Sequence, residues 1–106
     1  MGTYKIYTTK EFDKDFEKLD QSIQQQIRNE IDQLEVDPYV GKPLGYKFFR
    51  EKKVQNYRAY YLIYDEYVVV FVVALSDKKD QQHVIGAIRH LMPFYKEEIK
   101  KRLTAQ

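Results

Sequence analysis

The sequence contains no cysteine, and it has only four glycines and three prolines among 106 residues. Without cysteine the chain can form neither a disulfide framework nor a thiolate metal site, so an intracellular protein is the economical expectation. Residues 1–5 lack the apolar core of a secretory signal. The longest apolar run, Tyr67 to Leu75, is about half as long as a membrane-spanning helix. We therefore expect a cytoplasmic protein with no membrane partner.

Charge is nearly balanced over the whole chain, at +2, but it is unevenly distributed. Residues 1–37 hold nine acidic and five basic side chains, whereas residues 42–58 hold six basic side chains and one acidic one. A concentrated basic segment is typical of a surface that contacts phosphate groups. A solvated, lysine-rich hairpin has the same composition and remains an alternative. The six basic residues are Lys42, Lys47, Arg50, Lys52, Lys53 and Arg58.

Hydrophobic periodicity predicts a helical hairpin in the N-terminal third of the chain. A short strand at residues 3–7 is followed by Thr8, which we expect to cap a helix in a capping box completed by Glu11. Apolar residues then recur at helical spacing in two runs whose connection is too short for anything but a hairpin. These are Phe12, Phe16 and Leu19, then Ile23, Ile27, Ile31 and Leu34.

Aromatic and β-branched residues dominate the middle of the chain, after a loop at residues 40–45. They predict strands at 46–54 and 57–64, and a third at 67–75 that is apolar on both faces and hence central. A helical pattern follows at residues 84–91, Pro93 interrupts it, and residues 93–106 form a helical extension. The order β-α-α-β-β-β-α predicts one α+β domain over residues 1–106, with the hairpin on a small antiparallel sheet of about four strands.

Three motifs carry a resemblance to a known family. They are GKPLG at residues 41–45, KVQNYRAYY at 53–61 and DEYVVV at 65–70. In this order, behind a helical hairpin, they resemble the RelE/ParE toxins, whose members typically carry a GKPL loop, an LRVGDYRVIY strand and a DEVVVL strand. The resemblance covers residues 3–91 and implies a RelE/ParE-like fold.

The resemblance implies the toxin of a type II toxin–antitoxin system, held inactive by a cognate antitoxin that wraps around it. RelE-like members cut messenger RNA on the ribosome without a metal and so inhibit translation, whereas ParE-like members poison DNA gyrase and have no nuclease chemistry. Our first hypothesis is a ribosome-dependent endoribonuclease, an mRNA interferase that needs no cofactor. The alternative is a non-nuclease binding protein, either a gyrase inhibitor or a catalytically decayed member.

Metal-free RNA cleavage needs groups that activate the ribose 2′-OH, stabilise the phosphoryl oxygens and protonate the leaving 5′-oxygen. Arg58 aligns with the arginine of the family's YR motif and suits the second role, because a guanidinium binds two phosphate oxygens at once. A structural sheet arginine is the alternative. Lys53 falls near the family's LR position, and Lys52 lies beside it. Lys52 and Lys53 are both catalytic candidates, but only one of them can share a face with Arg58. A turn near residues 55–56 leaves the choice between them open.

The segment after the third predicted strand supplies further candidates. Lys78 and Lys79 stand at the family's basic position, and we assign Lys79 a catalytic role. Ile85 occupies the place of the family's tyrosine, which puts nuclease activity in doubt. His83 is a candidate general acid or base, because imidazole titrates near pH ~6.5, although a solvated histidine is the alternative. The residues expected to bind nucleic acid are Lys47, Arg50 and Lys78.

Overall fold

The computed structural model describes residues 3–105, so the predicted domain limits at residues 1 and 106 lie outside the described residues. Two helices precede most of the sheet, and one long helix follows it. Single 3-10 turns occupy residues Pro38–Val40 and Asp65–Tyr67. The elements are β1 (Lys5–Thr8), α1 (Lys10–Glu17), α2 (Gln21–Gln33), β2 (Lys42–Tyr46), β3 (Phe49–Val54), β4 (Tyr57–Tyr64), β5 (Val69–Asp77) and α3 (Gln81–Thr104).

Within residues 3–105 the strands form one five-stranded mixed sheet in the order β1-β5-β4-β3-β2. β1 runs parallel to β5, and the other neighbours are antiparallel. The α+β class is confirmed. The sheet has five strands where about four were predicted, and it is mixed where an antiparallel sheet was predicted. The segment predicted as a loop at 40–45 contains the edge strand β2, where the missing N–H of Pro43 costs little.

Both faces of the sheet are covered. The hairpin of α1 and α2 buries one face, and α3 buries the other, so β5 is interior and apolar on both sides, as its sequence predicts. The hairpin-side core includes Phe12, Ile27, Leu34, Tyr61, Val70 and Val72. The α3-side core includes Tyr60, Phe71, Val73, Ile85, Ile88 and Ile99.

The cap of α1 is Thr9, one residue after the predicted Thr8. Thr9 Oγ1 accepts a hydrogen bond from the Phe12 N–H at 3.0 Å and donates to the Val73 carbonyl at 2.8 Å. Thr8 is still part of β1, where it pairs with Val72, and this pairing shifts the start of the helix. The predicted N-cap was therefore wrong by one residue, and with Phe12 at the third helical position the cap is not completed as a capping box.

The C-terminal helix is continuous through Pro93, where the sequence predicts an interruption. Pro93 lies on the exposed side of α3, so the helix loses one hydrogen bond without forcing the proline ring into the core. Further along, Ile99 is fully buried, and Arg102 Nη1 donates to the Thr8 carbonyl at 2.8 Å. The C-terminal segment therefore packs against the domain. The helices within residues 3–105 lack the combination of length and apolar character that a membrane span requires.

One buried tyrosine anchors the segment that leads into β2. The Tyr61 hydroxyl donates to the Pro38 carbonyl at 2.7 Å and accepts from the Gly41 N–H at 3.1 Å. A Cβ at position 41 would clash with that hydroxyl, so a glycine is required there. Burial raises the pKa of Tyr61 to about 12, which keeps the hydroxyl protonated as a donor.

Asp65 ties three chain segments together at one end of the sheet. Its two carboxylate oxygens accept hydrogen bonds from the hydroxyls of Tyr4 and Tyr39, each at 2.6 Å. These two bonds hold the pKa of Asp65 below its ordinary value, with the Tyr39 bond the larger cause. Burial, together with the same bond, raises the pKa of Tyr39 to about 12.

Candidate functional site

The register of the β3–β4 hairpin decides which basic side chains share a face. Lys53 lies directly opposite Arg58, and Lys52 lies opposite Ala59. The hairpin turns at residues 55–56, where Gln55 adopts a positive φ of 53°. Because residues that are directly opposite each other point to the same side of a sheet, Lys53 and Arg58 share the α3 side. The structure thus selects Lys53 over Lys52 as the lysine on the face of Arg58.

Arg58 lies in the wall of an open polar cavity of about 500 Å³ between the β3–β4 hairpin and the start of α3. Only 7% of the residue is exposed. Its Nε and Nη1 atoms are buried and have no hydrogen-bond partner. Buried donors in proteins are nearly always paired, so two unpaired buried donors on one guanidinium are an uncommon feature of this site. The cavity is lined by Val40, Gly41, Lys42, Glu51, Lys52, Lys53, Arg58 and Gln81.

Glu51 is the side chain that sequence reasoning missed. It is 6% exposed, and its Oε2 lies 3.8 Å from Arg58 Nε, close enough for an ion pair but too far for a hydrogen bond. Its Oε1 accepts a hydrogen bond from Gln81 Nε2 at 3.0 Å. The sequence contains a signal for it, because Glu51 is the single acid in the basic segment and alternates with Lys53 along the strand.

Lys52 lines the same cavity but is tied to the opposite side of the sheet. Its Nζ lies 3.0 Å from the carboxylate of Glu30 on α2. This ion pair neutralises the ammonium locally and restrains it toward the helical hairpin. Lys53, in contrast, is exposed and lies beside Arg58 across the strand pair. The cations available to a ligand in the cavity are therefore those of Lys53 and of Lys42, which is also exposed and lines the cavity.

Arg50 and Lys47 lie apart from the cavity. The guanidinium of Arg50 donates to three main-chain carbonyls, those of Tyr39 and Lys47 at 2.8 Å and that of Gly41 at 2.7 Å. Lys47 Nζ and the Arg50 guanidinium both lie over the Tyr39 ring, at 5.3 and 5.1 Å from its centroid. Arg50 therefore holds the segment before β2 in place, and neither side chain converges with Arg58.

The candidates after β5 are all exposed, and they do not line the cavity. Lys78 and Lys79 lie in the turn between β5 and α3, and His83 lies in the first turn of α3. His83 is two residues beyond Gln81, which places it about 200° around the helix from the side chain that enters the cavity. Ile85, at the position of the family's tyrosine, is buried in the α3-side core.

A buried tyrosine adjoins the cavity but does not open into it. The Tyr60 hydroxyl is 2.8 Å from Ser76 Oγ, and both residues are buried. Burial raises the pKa of Tyr60, so the phenol stays neutral. Tyr60 thus supports the sheet beside Glu51 instead of replacing the tyrosine that the sequence lacks. Within residues 3–105, no group of three or more histidine or carboxylate side chains is arranged to hold a metal ion.

Comparisons with known proteins agree with this fold. The family model for the ParE toxin of the type II toxin–antitoxin system parDE matches residues 6–90. No curated protein sequence matches the chain significantly.

Three solved structures illustrate the structural similarity. The E. coli RelE toxin with two arginine-to-alanine substitutions, in the free state, aligns with a TM-score of 0.70 and 21% identity over 84% of this chain and 98% of that chain. The Mycobacterium tuberculosis RelBE2 toxin–antitoxin complex gives a TM-score of 0.64 and 26% identity over 74% and 94%. The intact E. coli RelBE complex gives 0.64 and 24% over 70% and 95%.

The matched family model extends over most of the chain, and the structure matches the RelE-like fold. The chain therefore belongs to the RelE/ParE superfamily and is the toxin of a type II toxin–antitoxin system.

Proposed function

We propose that this toxin is a ribosome-dependent endoribonuclease that cuts messenger RNA in the cavity around Arg58 without a metal. The single observation that carries the proposal is that Arg58 lines one open cavity together with the Glu51 carboxylate and the exposed Lys53. A guanidinium can donate hydrogen bonds to two oxygens of a phosphodiester at once.

The side chains of the cavity cover the three tasks of RNA cleavage. The Glu51 carboxylate takes the proton from the ribose 2′-OH as that oxygen forms its bond to phosphorus. Arg58 stabilises the negative charge that develops on the phosphoryl oxygens, and such stabilisation usually contributes more to catalysis than any other single effect. The Lys53 ammonium gives a proton to the 5′-oxygen as its bond to phosphorus breaks. The products are a 2′,3′-cyclic phosphate and a free 5′-hydroxyl.

Because the sequence lacks the family's tyrosine, the cleavage proposal needs another acid or base, and Glu51 is a candidate for that role. With Ile85 in place of the family's tyrosine, the sequence offers only the exposed His83 as an acid or base. The structure adds a buried carboxylate 3.8 Å from the guanidinium, on the same sheet face as Lys53. In our proposal Glu51 and Lys53 form the acid–base pair, and the exposed Lys78, Lys79 and His83 contact the ribosome or message outside the cavity.

The test is cleavage of a message translated by purified ribosomes, read by primer extension. Arg58→Met keeps the length of the side chain and removes the guanidinium, and we expect it to reduce cleavage by about 100-fold or more, as when a transition-state donor is lost. The matched control is Lys101→Met, which removes a positive charge from the exposed part of α3. Circular dichroism verifies that each variant is folded. Undiminished cleavage by the Arg58 variant would show that the assigned site is wrong.

The second candidate is a ParE-like inhibitor of DNA gyrase, and the observation that favours it is the family model itself, which describes ParE toxins. Induction would then cause DNA damage while messages stay intact, and purified gyrase would be inhibited at toxin concentrations that leave translated messages uncut. A decayed member would produce neither effect. The two readouts, measured on the same induced culture, separate the three outcomes.

For either target, we propose that a cognate antitoxin partner neutralises this toxin. Two of the structural neighbours described above are complexes of a toxin with its antitoxin. Co-expression of the chain with the product of the adjacent reading frame should restore growth and yield a complex that co-purifies. Growth arrest that the neighbouring gene does not relieve would contradict this proposal.

A further inference from the structure

Two exposed aromatic rings lie side by side at the turn between β2 and β3. Tyr46 is 45% exposed and Phe48 is 40% exposed, and their ring centroids are 5.1 Å apart. Lys47, between them in the chain, is exposed as well. Single exposed apolar side chains are common, but adjacent exposed rings indicate a surface that contacts a partner. We call residues 46–48 the aromatic tip.

The edge strand β2 connects the aromatic tip to the cavity around Arg58. Lys42, at the start of the strand, lines that cavity, and Tyr46 ends the strand at most about 13 Å away. Tyr46 lies opposite Phe49, a member of the α3-side core. Lys42 lies opposite Glu51, two positions further along β3, so Lys42 and Tyr46 both point to the α3 side of the sheet.

Positively charged side chains follow the same strand. The guanidinium of Arg89 reaches from α3 to the middle of β2, where it donates to the Leu44 carbonyl at 3.2 Å. A Cβ at Gly45 would lie 2.8 Å from Arg89 Nη2, so the glycine leaves room for the guanidinium. With Lys42 before it and Lys47 after it, Arg89 completes a row of three exposed cations from the cavity to the aromatic tip. Residues 38–50 contain no acidic side chain.

The carboxylates beside the aromatic tip do not cancel this charge. Phe48 borders an apolar cavity of about 440 Å³ whose lining includes Asp65 and Glu66. Glu66 Oε2 lies 3.8 Å from Lys96 Nζ, and Asp65 accepts the two tyrosine hydroxyls described above. Lys96 balances Glu66, and the three cations of the row outnumber Asp65, so the surface is positive. Its complement is a polyanion with flat apolar faces, and an unpaired nucleic-acid strand has both properties.

We propose that the aromatic tip and the row of cations bind single-stranded RNA, with an unpaired base stacked on the exposed rings and the phosphates following the cations to the cavity. Stacking on aromatic side chains tolerates any sequence, because every base has a flat face. For the identity of the ligand this inference rests on the proposed function, but it requires only binding and no cleavage. The surface holds the message beside the position where it is cut.

The first test uses the absence of tryptophan from the sequence, so that an introduced indole is the only one in the chain. Phe48→Trp places the indole in the aromatic tip. The matched control Phe94→Trp places it on α3, at a ring that is 68% exposed and borders a different cavity. The probe is oligouridylate with 2′-O-methyl riboses, which has no free 2′-OH and cannot be cut. We expect base stacking to quench the Phe48→Trp fluorescence and leave that of Phe94→Trp unchanged, and equal responses in the two variants would overturn the inference.

The second test measures the affinity of the full chain for the same oligonucleotide by fluorescence anisotropy. The double variant Tyr46→Leu/Phe48→Leu keeps both side chains apolar but removes the rings, and we expect about tenfold weaker binding, against less than about twofold for Phe94→Leu. Lys47→Gln should reduce the slope of log K against log salt by about 0.7, the contribution of one phosphate contact on a single strand. The control Lys101→Gln should leave the slope unchanged. Circular dichroism verifies that each variant is folded.

The outcomes separate this inference from the nuclease proposal and from a protein partner. If the expected pattern holds while translated messages stay uncut, the nuclease proposal fails and the RNA-binding surface stands. If messages are cut but the double variant binds RNA as the native chain does, the inference fails and the nuclease proposal stands. Weaker antitoxin binding at unchanged RNA affinity would assign the surface to a protein partner and overturn the inference. Failure of the native chain to bind the oligonucleotide would overturn it as well.

Discussion

The buried pair of Arg58 and Glu51 costs this small domain stability, and removing both charges together should stabilise the fold. At 3.8 Å and an effective dielectric of about 20, their attraction is about 4 kcal/mol. Against this stand two unpaired buried donors, at about 1–3 kcal/mol each, and a desolvation penalty of several kcal/mol for each ion. The double variant Arg58→Met/Glu51→Leu should therefore be more stable than the native chain by about 1–4 kcal/mol.

Each single substitution should instead lower the free energy of unfolding. Arg58→Met leaves Glu51 buried without its cation, and its remaining bond to Gln81 compensates only in part, so we expect a loss of about 3 kcal/mol. Glu51→Leu leaves the guanidinium buried without a counter-charge and should also destabilise. The two single variants should be less stable than the native chain and the double variant more stable. Comparing their free energies of unfolding gives the coupling energy between Arg58 and Glu51.

The assay is urea unfolding at 25 °C, followed by far-UV circular dichroism, for the native chain, both singles, the double and the exposed control Lys101→Met. For a domain near this size, 1 kcal/mol corresponds to a shift of roughly 4 °C in Tm, so thermal melts provide an independent check. Equal m values across the set show that the variants unfold from comparable states. A double variant that is less stable than the native chain by the sum of the singles would refute the reasoning.

Two further predictions concern the supports of the cavity. Tyr61→Phe leaves the Gly41 N–H unsatisfied and should lower the free energy of unfolding, measured by chemical denaturation, by about 2 kcal/mol. The control Tyr57→Phe, in the same core, should change it by less than about 0.5 kcal/mol. Asp65, whose folded-state pKa is lowered chiefly by the Tyr39 hydroxyl, stabilises the fold above its unfolded pKa of about 4, and this contribution is lost as pH falls through the folded value. The stability difference between the native chain and Asp65→Asn should thus shrink below about pH 4, and a difference that stays constant down to pH 2 would contradict it.

Local patterns were sufficient for most of the secondary structure. Helical spacing placed α1 and α2, the alternation of strand and turn residues placed β4, and the two-sided apolar run at 67–75 indicated an interior strand. The errors arose where a local preference was overridden by pairing at a distance. Proline and glycine at 41–45 predicted a loop, but hydrogen bonds to β3 make that segment an edge strand. Pro93 predicted a break, but burial of Ile99 against the sheet keeps α3 whole.

The candidate site, too, was predictable only in part from the sequence. The resemblance to the RelE/ParE toxins made Arg58 and a neighbouring lysine candidates, because residue order is a property of the sequence itself. Strand register places Lys53 on the same face as Arg58. Distant partners decide that Lys52 pairs with Glu30 and that Arg50 donates to main-chain carbonyls. Glu51 and Gln81 meet across 30 positions. Which charged groups are buried together, and which of their donors lack a hydrogen-bond partner, follows from packing and is decided only when the chain is folded.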